Sequence, residues 1–206
     1  MGKLRISILG SGDMGGAIAT ALSRRTHHQI LVRGSRLGSA SAAKLVAELG
    51  AGEGTDEEIA ASDLVFVVVP ASAIPQALEP LAGFGGIVVS VSVSATVGKD
   101  GRPSGAESVA TALPRAKIVS AFTSIRSKVV RDPGKGEKTS VFVCSDHEDA
   151  KAVVSKIASQ AGFEPIDGGK LAMALYTGAL VMFAVHLALE SGYGKTITFR
   201  AFKAVP

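Results

Sequence analysis

Three glycines near the amino terminus have the spacing of a phosphate-binding turn. They form the pattern G-x-G-x-x-G in the run Gly10-Ser11-Gly12-Asp13-Met14-Gly15. An apolar run precedes this pattern and a helical sequence follows it, which is the setting in which the pattern marks a dinucleotide site. There the first glycine permits a tight turn, the second lets the backbone approach a pyrophosphate, and the third lets the helix pack on the strand. The sequence therefore predicts dinucleotide binding at the start of the first helix, with a merely tight turn as the alternative.

The end of the second predicted strand indicates which dinucleotide is preferred. The run Val32-Arg33-Gly34-Ser35-Arg36 contains no Asp or Glu, the residues that bond the ribose 2′-hydroxyl of NAD. Arg36 can meet a 2′-phosphate with a charge-assisted pair of hydrogen bonds, and Ser35 can donate its hydroxyl. Arg33 could stack on adenine or add positive charge. We therefore expect NADP(H) as the cofactor, and a solvated basic turn is the alternative.

The composition excludes several classes of protein. The chain has 206 residues, and a hydrophobic content of 47% excludes a disordered chain. Its formal net charge of +4 is too small to indicate a nucleic-acid partner. Cys144 is the only cysteine, so no internal disulfide can form, and no cluster has metal-ligand spacing. We therefore expect no metal site. Because the amino terminus has no signal-peptide pattern, we expect a cytoplasmic protein.

Short apolar runs alternate with helical patterns along the chain. The runs predict strands at Leu4–Leu9, Gln29–Arg33, Asp63–Val69, Gly86–Val91, Lys117–Ala121 and Thr139–Cys144. The patterns between them predict helices at Met14–Arg25, Ser39–Leu49, Asp56–Ala61, Ser72–Leu81, Ala106–Leu113 and Glu148–Ala161. The segments 93–105 and 126–138 have the composition of long polar loops. The alternation predicts an α/β fold of the Rossmann type, with a doubly wound, mostly parallel sheet.

The last part of the chain differs in composition from the rest. We expect residues 1–169 to form the NADP-binding Rossmann domain and residues 170–206 a small helical and extended appendage. Within the appendage, Leu171–Leu189 is almost uncharged and long enough to cross a membrane. Its polar interruptions, including Thr177 and His186, favour instead a buried helix of a soluble protein or a dimer interface. We therefore expect no membrane contact and a homodimer.

Three further segments are candidates for the side on which the second substrate reacts. Ligands of doubly wound sheets lie at the carboxyl ends of the strands, so Val69, Pro70 and Ala71 should border the nicotinamide. Pro70 could instead simply end its strand. By the same rule Ser90–Ser94 and the run Ala121–Ile125, with Thr123 and Ser124, approach the reacting ring. No acid–base set is visible there, so the catalytic residues stay unknown, and hydride exchange between two redox rings would need only positioning.

The chain resembles the NADP oxidoreductase family that depends on coenzyme F420, a deazaflavin. The resemblance rests on the runs ISILGSGDMGGAIATAL, LVRGSR, DLVFVVVP, KIVSAFTSI and ESGYGKTITFRAF. It implies a homodimer that transfers hydride between NADPH and the deazaflavin. It also implies roles for particular residues: the pyrophosphate would meet Ser11, Gly12, Asp13 and Met14, the 2′-phosphate Ser35 and Arg36, and the nicotinamide Val69 and Pro70.

Two departures from the family pattern fall on the side of the second substrate. Family members often read His-Thr-Ile-Pro where this chain reads Thr123-Ser124-Ile125-Arg126, and they often carry an aromatic residue where this chain has Ala71. NADP binding is therefore better supported than use of a deazaflavin, and a flavin-like acceptor is also open. Two alternatives keep the cofactor. One is an imine or carbonyl reductase of the pyrroline-5-carboxylate reductase type, which the short carboxyl-terminal part disfavours, and the other is a non-catalytic NADP-binding sensor.

Overall fold

A single sheet runs through the protein. A computed structural model describes residues 2–93, 103–134 and 136–204, so residues 94–102 of the predicted polar loop lie outside the described part. The strands are β1 Arg5–Leu9, β2 Gln29–Arg33, β3 Gly52–Glu53, β4 Leu64–Val67, β5 Ile87–Ser90, β6 Lys117–Ser120, β7 Ser140–Ser145 and β8 Glu164–Asp167. Their order is β3-β2-β1-β4-β5-β6-β7-β8, and only the pairing of β6 with β7 is antiparallel among the described strands. The first six strands have the order of a Rossmann fold, which confirms the predicted fold class.

Helices cover both faces of the sheet. They are α1 Asp13–Arg25, α2 Ala40–Leu49, α3 Asp56–Ala60, α4 Ile74–Ala77, α5 Gly105–Ala112, α6 Ser127–Arg131, α7 Glu148–Gln160 and α8 Ala174–Leu189. The central strands are consequently buried on both sides, and Ile6, Ile8, Leu64 and Phe66 have no exposed surface. This burial explains why their sequences are continuously apolar instead of alternating.

The predicted helix over 72–81 is broken in the structure. It consists of a 3₁₀ turn at Ala71–Ala73, the short helix α4, and a second 3₁₀ turn at Glu79–Leu81. Pro75 and Pro80 are each the second residue of one of the later pieces. Proline has no backbone N–H and fixes its own φ, so it starts a helical segment but cannot lie inside one.

Three short elements were not predicted. The segment 126–138 is not a continuous polar loop, because α6 forms within it and buries Val129 and Val130 on the side of the sheet that α1 covers. The strands β3 and β8 also form, at the two edges of the sheet. β8 contains Pro165. Proline argues against a central strand, but an edge strand tolerates it.

Cys144 is a buried residue of β7 with a free thiol. Loss of hydration on burial raises the pKa of this thiol to about 11, and the nearby Asp167 carboxylate acts in the same direction. The thiol is therefore protonated at neutral pH, consistent with an inert strand residue. Within residues 2–93, 103–134 and 136–204, no three His, Cys, Asp or Glu side chains converge on a possible metal position.

The apolar segment 171–189 is mostly not buried within the chain. Burial was one of the two arrangements we expected for it; the other, a dimer interface, stays a prediction. By length and composition this helical segment could cross a membrane, and only 33% of its most apolar window is buried. The buried positions of α8 are small, such as Gly178, Ala184 and Ala188, whereas Tyr176 and Phe183 are more than half exposed. Small residues let the helix approach the fold closely on one side, so its large apolar side chains are left on the outside.

Candidate functional site

The turn between β1 and α1 has the geometry that the glycine spacing predicts. Gly10 has a φ of 113°, and a Cβ atom on it would lie 2.1 Å from the carbonyl oxygen of Val68. A Cβ atom on Gly15 would lie 1.7 Å from the carbonyl oxygen of Gly10. Only glycine fits at these two positions. The Gly10 turn is also fixed to the neighbouring strand, because its N–H donates to the Arg33 carbonyl over 2.8 Å.

Gly12 differs from the other two glycines of the motif because it faces open space. It is the N-cap residue of α1, and no side chain caps this helix end. A Cβ atom on Gly12 would meet no atom within 4 Å. The first backbone N–H groups of a helix have no partner within the helix, and together with the helix dipole they attract anions. The start of α1 therefore provides an open, electropositive position of the kind that a pyrophosphate occupies.

Serine hydroxyls gather beside this turn, around Gly34. A Cβ atom on Gly34 would lie 1.9 Å from the Ser39 hydroxyl oxygen and 3.0 Å from that of Ser11. The Ser11 and Ser41 hydroxyl oxygens are 2.5 Å apart, so the phosphate turn is bonded to the start of α2. The predicted phosphate ligands Ser35 and Arg36 follow Gly34 directly and are exposed. Hydroxyl donors and a guanidinium group at one place suit a phosphate monoester.

The two arginines of the β2 end have different surroundings. Arg33 donates to the Gly54 carbonyl over 2.6 Å and to the Asp56 carboxylate over 2.5 Å. Arg33 therefore joins β2 to the start of α3, and Asp56 compensates the charge that we expected it to add. Arg36, by contrast, has no carboxylate within ion-pair distance in the described part of the chain. The free positive charge at this end of β2 is that of Arg36.

A cavity of about 540 Å³ opens at the carboxyl ends of β1, β2 and β4. Five predicted site residues line it, namely Gly10, Arg33, Ser35, Val69 and Pro70. Further lining residues that the sequence did not single out are Asp56, Gln76, Glu79 and Pro80. All but Asp56 follow β4, so the rule that ligands lie beyond strand ends could have pointed to them. The predicted residues Ser11, Gly12, Asp13, Met14, Gly15, Arg36 and Ala71 lie beside these in the chain without lining the cavity itself.

The two predicted residues beyond the carboxyl end of β6, Thr123 and Ser124, are buried. The Thr123 hydroxyl donates to the Thr177 hydroxyl over 2.8 Å, and the latter donates to the Ala174 carbonyl over 3.1 Å. Thr123 and Ser124 are therefore enclosed and do not line the cavity. The preceding residue, Phe122, has a φ of 61°, a left-handed conformation that is uncommon for a non-glycine residue. Such strain clusters at functional sites, so this segment remains a candidate although the Thr123 hydroxyl is already bonded to Thr177.

Comparison with known proteins agrees with this geometry. Residues 5–94 match the model of the family described as NADP oxidoreductase coenzyme F420-dependent. The F420-dependent NADP reductase of Methanocaldococcus jannaschii is 29% identical in an alignment that covers 95% of this chain and 98% of that protein. The family match thus lies in the amino-terminal part of the chain, and the similarity to the Methanocaldococcus protein extends over nearly all of it.

Two other similarities bear on this family of NADP oxidoreductases. A crystal structure of a putative F420-dependent NADP reductase from Arthrobacter sp. FB24 superimposes with a TM-score of 0.82 at 21% identity, covering 97% of this chain and all of that one (100%). The rat metalloreductase STEAP3 is 30% identical over 176 residues, or 82% of this chain. This chain spans about a third (35%) of the length of the rat protein, so the similarity concerns one part of that enzyme.

The contrast between Gly12 and Gly15 gives a first prediction. We expect Gly12→Ala to fold normally but to bind NADPH at least about tenfold more weakly, because the methyl group occupies the space in front of the α1 amides. We expect Gly15→Ala to lower the free energy of unfolding by about 1–3 kcal/mol, because the new methyl group overlaps the Gly10 carbonyl. Urea unfolding and equilibrium titration with NADPH measure the two effects, and each variant is the control for the other. Wild-type affinity for NADPH in Gly12→Ala would contradict the assignment of the phosphate site.

Proposed function

We propose that this protein transfers hydride between NADPH and the deazaflavin coenzyme F420 or a flavin-like acceptor. The observation that supports it most is the open end of α1 at Gly12 beside the hydroxyls around Gly34, within the segment that matches the family. This arrangement fits a phosphorylated dinucleotide in its donor types and its free space. The Methanocaldococcus relative is an F420-dependent NADP reductase by name, and its alignment with this chain is nearly end to end.

In this proposal the chain contributes binding and orientation. NADPH supplies the hydride when it is bound. The amides at the start of α1 hold its pyrophosphate, with Ser11, Gly12, Asp13 and Met14 nearest. Ser35 and Arg36 hold the 2′-phosphate. Val69 and Pro70 border the nicotinamide, and the Ser92 hydroxyl fixes their backbone by donating to the Val69 carbonyl over 2.7 Å. Holding two reactants in the right geometry is by itself a large part of catalysis, so no acid or base is assigned.

The second prediction concerns the choice between NADPH and NADH. We expect Arg36→Ala to weaken NADPH binding by about 1.5–3 kcal/mol, the range for a hydrogen bond to a charged group, and to leave NADH binding almost unchanged. Isothermal titration of both nucleotides measures this difference. Arg115→Ala is the matched control, because Arg115 is an exposed arginine just before the amino-terminal end of β6, away from the carboxyl ends of the strands. Equal affinity of the wild-type protein for NADPH and NADH would contradict the roles of Ser35 and Arg36.

The third prediction concerns the acceptor. We expect the protein, when mixed with NADPH and F420 in a stopped-flow instrument, to oxidise NADPH as the deazaflavin is reduced. FMN, a ferric chelate and a cyclic imine are the comparison acceptors. Fastest oxidation by the imine would favour a reductase of the pyrroline-5-carboxylate type, and fastest oxidation by iron would favour the activity named in the rat metalloreductase. No oxidation by any acceptor would contradict an enzyme and favour an NADP-binding sensor.

We further propose that the protein is a cytoplasmic homodimer in which the exposed side of α8 faces a second copy. The support is chemical: among the described residues, the large exposed apolar side chains are concentrated on α8 and next to it. They are Met173, Tyr176, Met182, Phe183, Leu189 and Tyr193, with Phe202 in the tail and Leu37 elsewhere. An apolar patch of this kind on a chain in water indicates an interaction surface. A second copy of the same helix offers the same apolar chemistry, as a two-fold symmetric interface requires.

The fourth prediction tests that interface. We expect the wild-type chain to sediment as a dimer at micromolar concentration and Met182→Glu to sediment as a monomer, because a charge in an apolar interface is costly to bury. Lys44→Glu on α2 is the control, since it also introduces an exposed carboxylate but lies far from α8 along the chain. A wild-type monomer, or a Met182→Glu dimer as stable as the wild type, would contradict the proposal.

A further inference from the structure

Arg126 is a half-buried arginine without a partner. It follows Ile125 in the segment between β6 and α6. Its Nε atom is buried, and no hydrogen-bond acceptor lies within reach of it in the part of the chain that the structure describes. Nor does any described carboxylate approach its guanidinium group, whereas Arg25, Arg33 and Arg200 each have one. Arg126 thus carries a positive charge, partly removed from water, that the fold does not neutralise.

Such a group requires an explanation. A buried donor without an acceptor destabilises the folded chain, and charged side chains are rarely buried unless they are paired. Nearly all buried polar groups in proteins do have a partner, and for a charged group that partner can be a ligand that binds from outside. The partner for a guanidinium group is an anion, above all a carboxylate or a phosphate, because these match its planar set of donors.

The position of Arg126 indicates which ligand this anion belongs to. It lies beyond the carboxyl end of β6, and ligands of this fold bind at the carboxyl ends of the strands. It also follows the strained Phe122 by four residues. It does not line the cavity at the ends of β1, β2 and β4, where the NADP residues lie. In the proposed reaction this position is on the side of the acceptor and not on that of the cofactor.

We propose that Arg126 binds an anionic group of the second substrate, either a phosphate or a carboxylate. This inference rests on the proposed function, since it requires a redox substrate besides NADP. Arg126 is here a specificity-determining residue: it selects an acceptor with a charged side chain over the same ring without one. It takes no part in moving the hydride.

Equilibrium binding tests this role without turnover. FMN and riboflavin share one ring system and differ by a phosphate, and their fluorescence reports binding to the NADP⁺-loaded protein. Coenzyme F420 and its phosphate-free deazaflavin chromophore form a second pair. We expect the wild-type protein to bind the phosphorylated member of at least one pair about tenfold more tightly, the effect of about 1.4 kcal/mol. We expect Arg126→Gln to bind both members of a pair equally. We expect Arg115→Gln, the control at the amino-terminal end of β6, to keep the preference. Competition by inorganic phosphate or by acetate then distinguishes a phosphate from a carboxylate partner.

The outcomes separate this inference from the proposed function. Equal affinity within both pairs, no binding of either pair, or a preference that survives Arg126→Gln would overturn it. A loss of NADP⁺ affinity in Arg126→Gln would also overturn it, because it would move the residue to the cofactor site. If Arg126→Gln does not fold, the salt dependence of the wild-type preference is the test. An ion pair at a half-exposed site is screened by salt, so we expect the preference to fall as the salt concentration rises. A preference that does not depend on salt would overturn the inference. Should the preference hold while no acceptor oxidises NADPH, the proposed hydride transfer fails and the anion site stands.

Discussion

The close contact between Gly10 and Gly15 sets the geometry on which the rest of the site depends. The Gly10 carbonyl stands where a side chain of residue 15 would begin, so α1 starts directly above the end of β1. The same turn presses against Val68 at the end of β4, the strand that neighbours β1 on the other side from β2. Strand order reverses between β1 and β4, and in doubly wound sheets the crevice opens at this reversal. The carboxyl ends of β1, β2 and β4 therefore lie close together at this turn, and the turn is possible because Gly10 and Gly15 have no Cβ atom.

The serine cluster extends this close packing to the second strand. The Gly10 N–H bonds the last residue of β2, and Gly34 then passes so close to Ser39 that only glycine fits. As a result the chain turns directly after β2 and enters α2, and the Ser39 hydroxyl caps the first turn of this helix. The exposed Ser35 and Arg36 are held between the two helix starts. Since Asp56 already neutralises Arg33, Arg36 is the arginine of this turn that a phosphate could attract without breaking an ion pair.

Most of the cofactor half of the molecule could be predicted from sequence because its determinants are local. The glycine spacing, the apolar run of β1 and the missing acid after β2 all lie within 36 residues of the amino terminus. The unpredicted pieces have other causes. β3 and β8 are edge strands, and β3 is too short to show any periodicity. α6 forms because Val129 and Val130 reach the core under α1, a contact that spans more than a hundred residues of sequence. The division of the chain at residue 169 remains a prediction.

The acceptor half depends on contacts that no local pattern records. Thr123 stands where ligands of this fold bind, yet its hydroxyl is taken up by Thr177, 54 residues further along the chain. The same helix that supplies Thr177 exposes Tyr176 and Phe183 on its other side. Any partner that packs on that side of α8 would therefore contact the same helix that holds the Thr123 hydroxyl. The residues proposed for the dinucleotide lie close together in the sequence, whereas the surroundings of Thr123 depend on the last helix. The family match over residues 5–94 covers the first group and ends before the second.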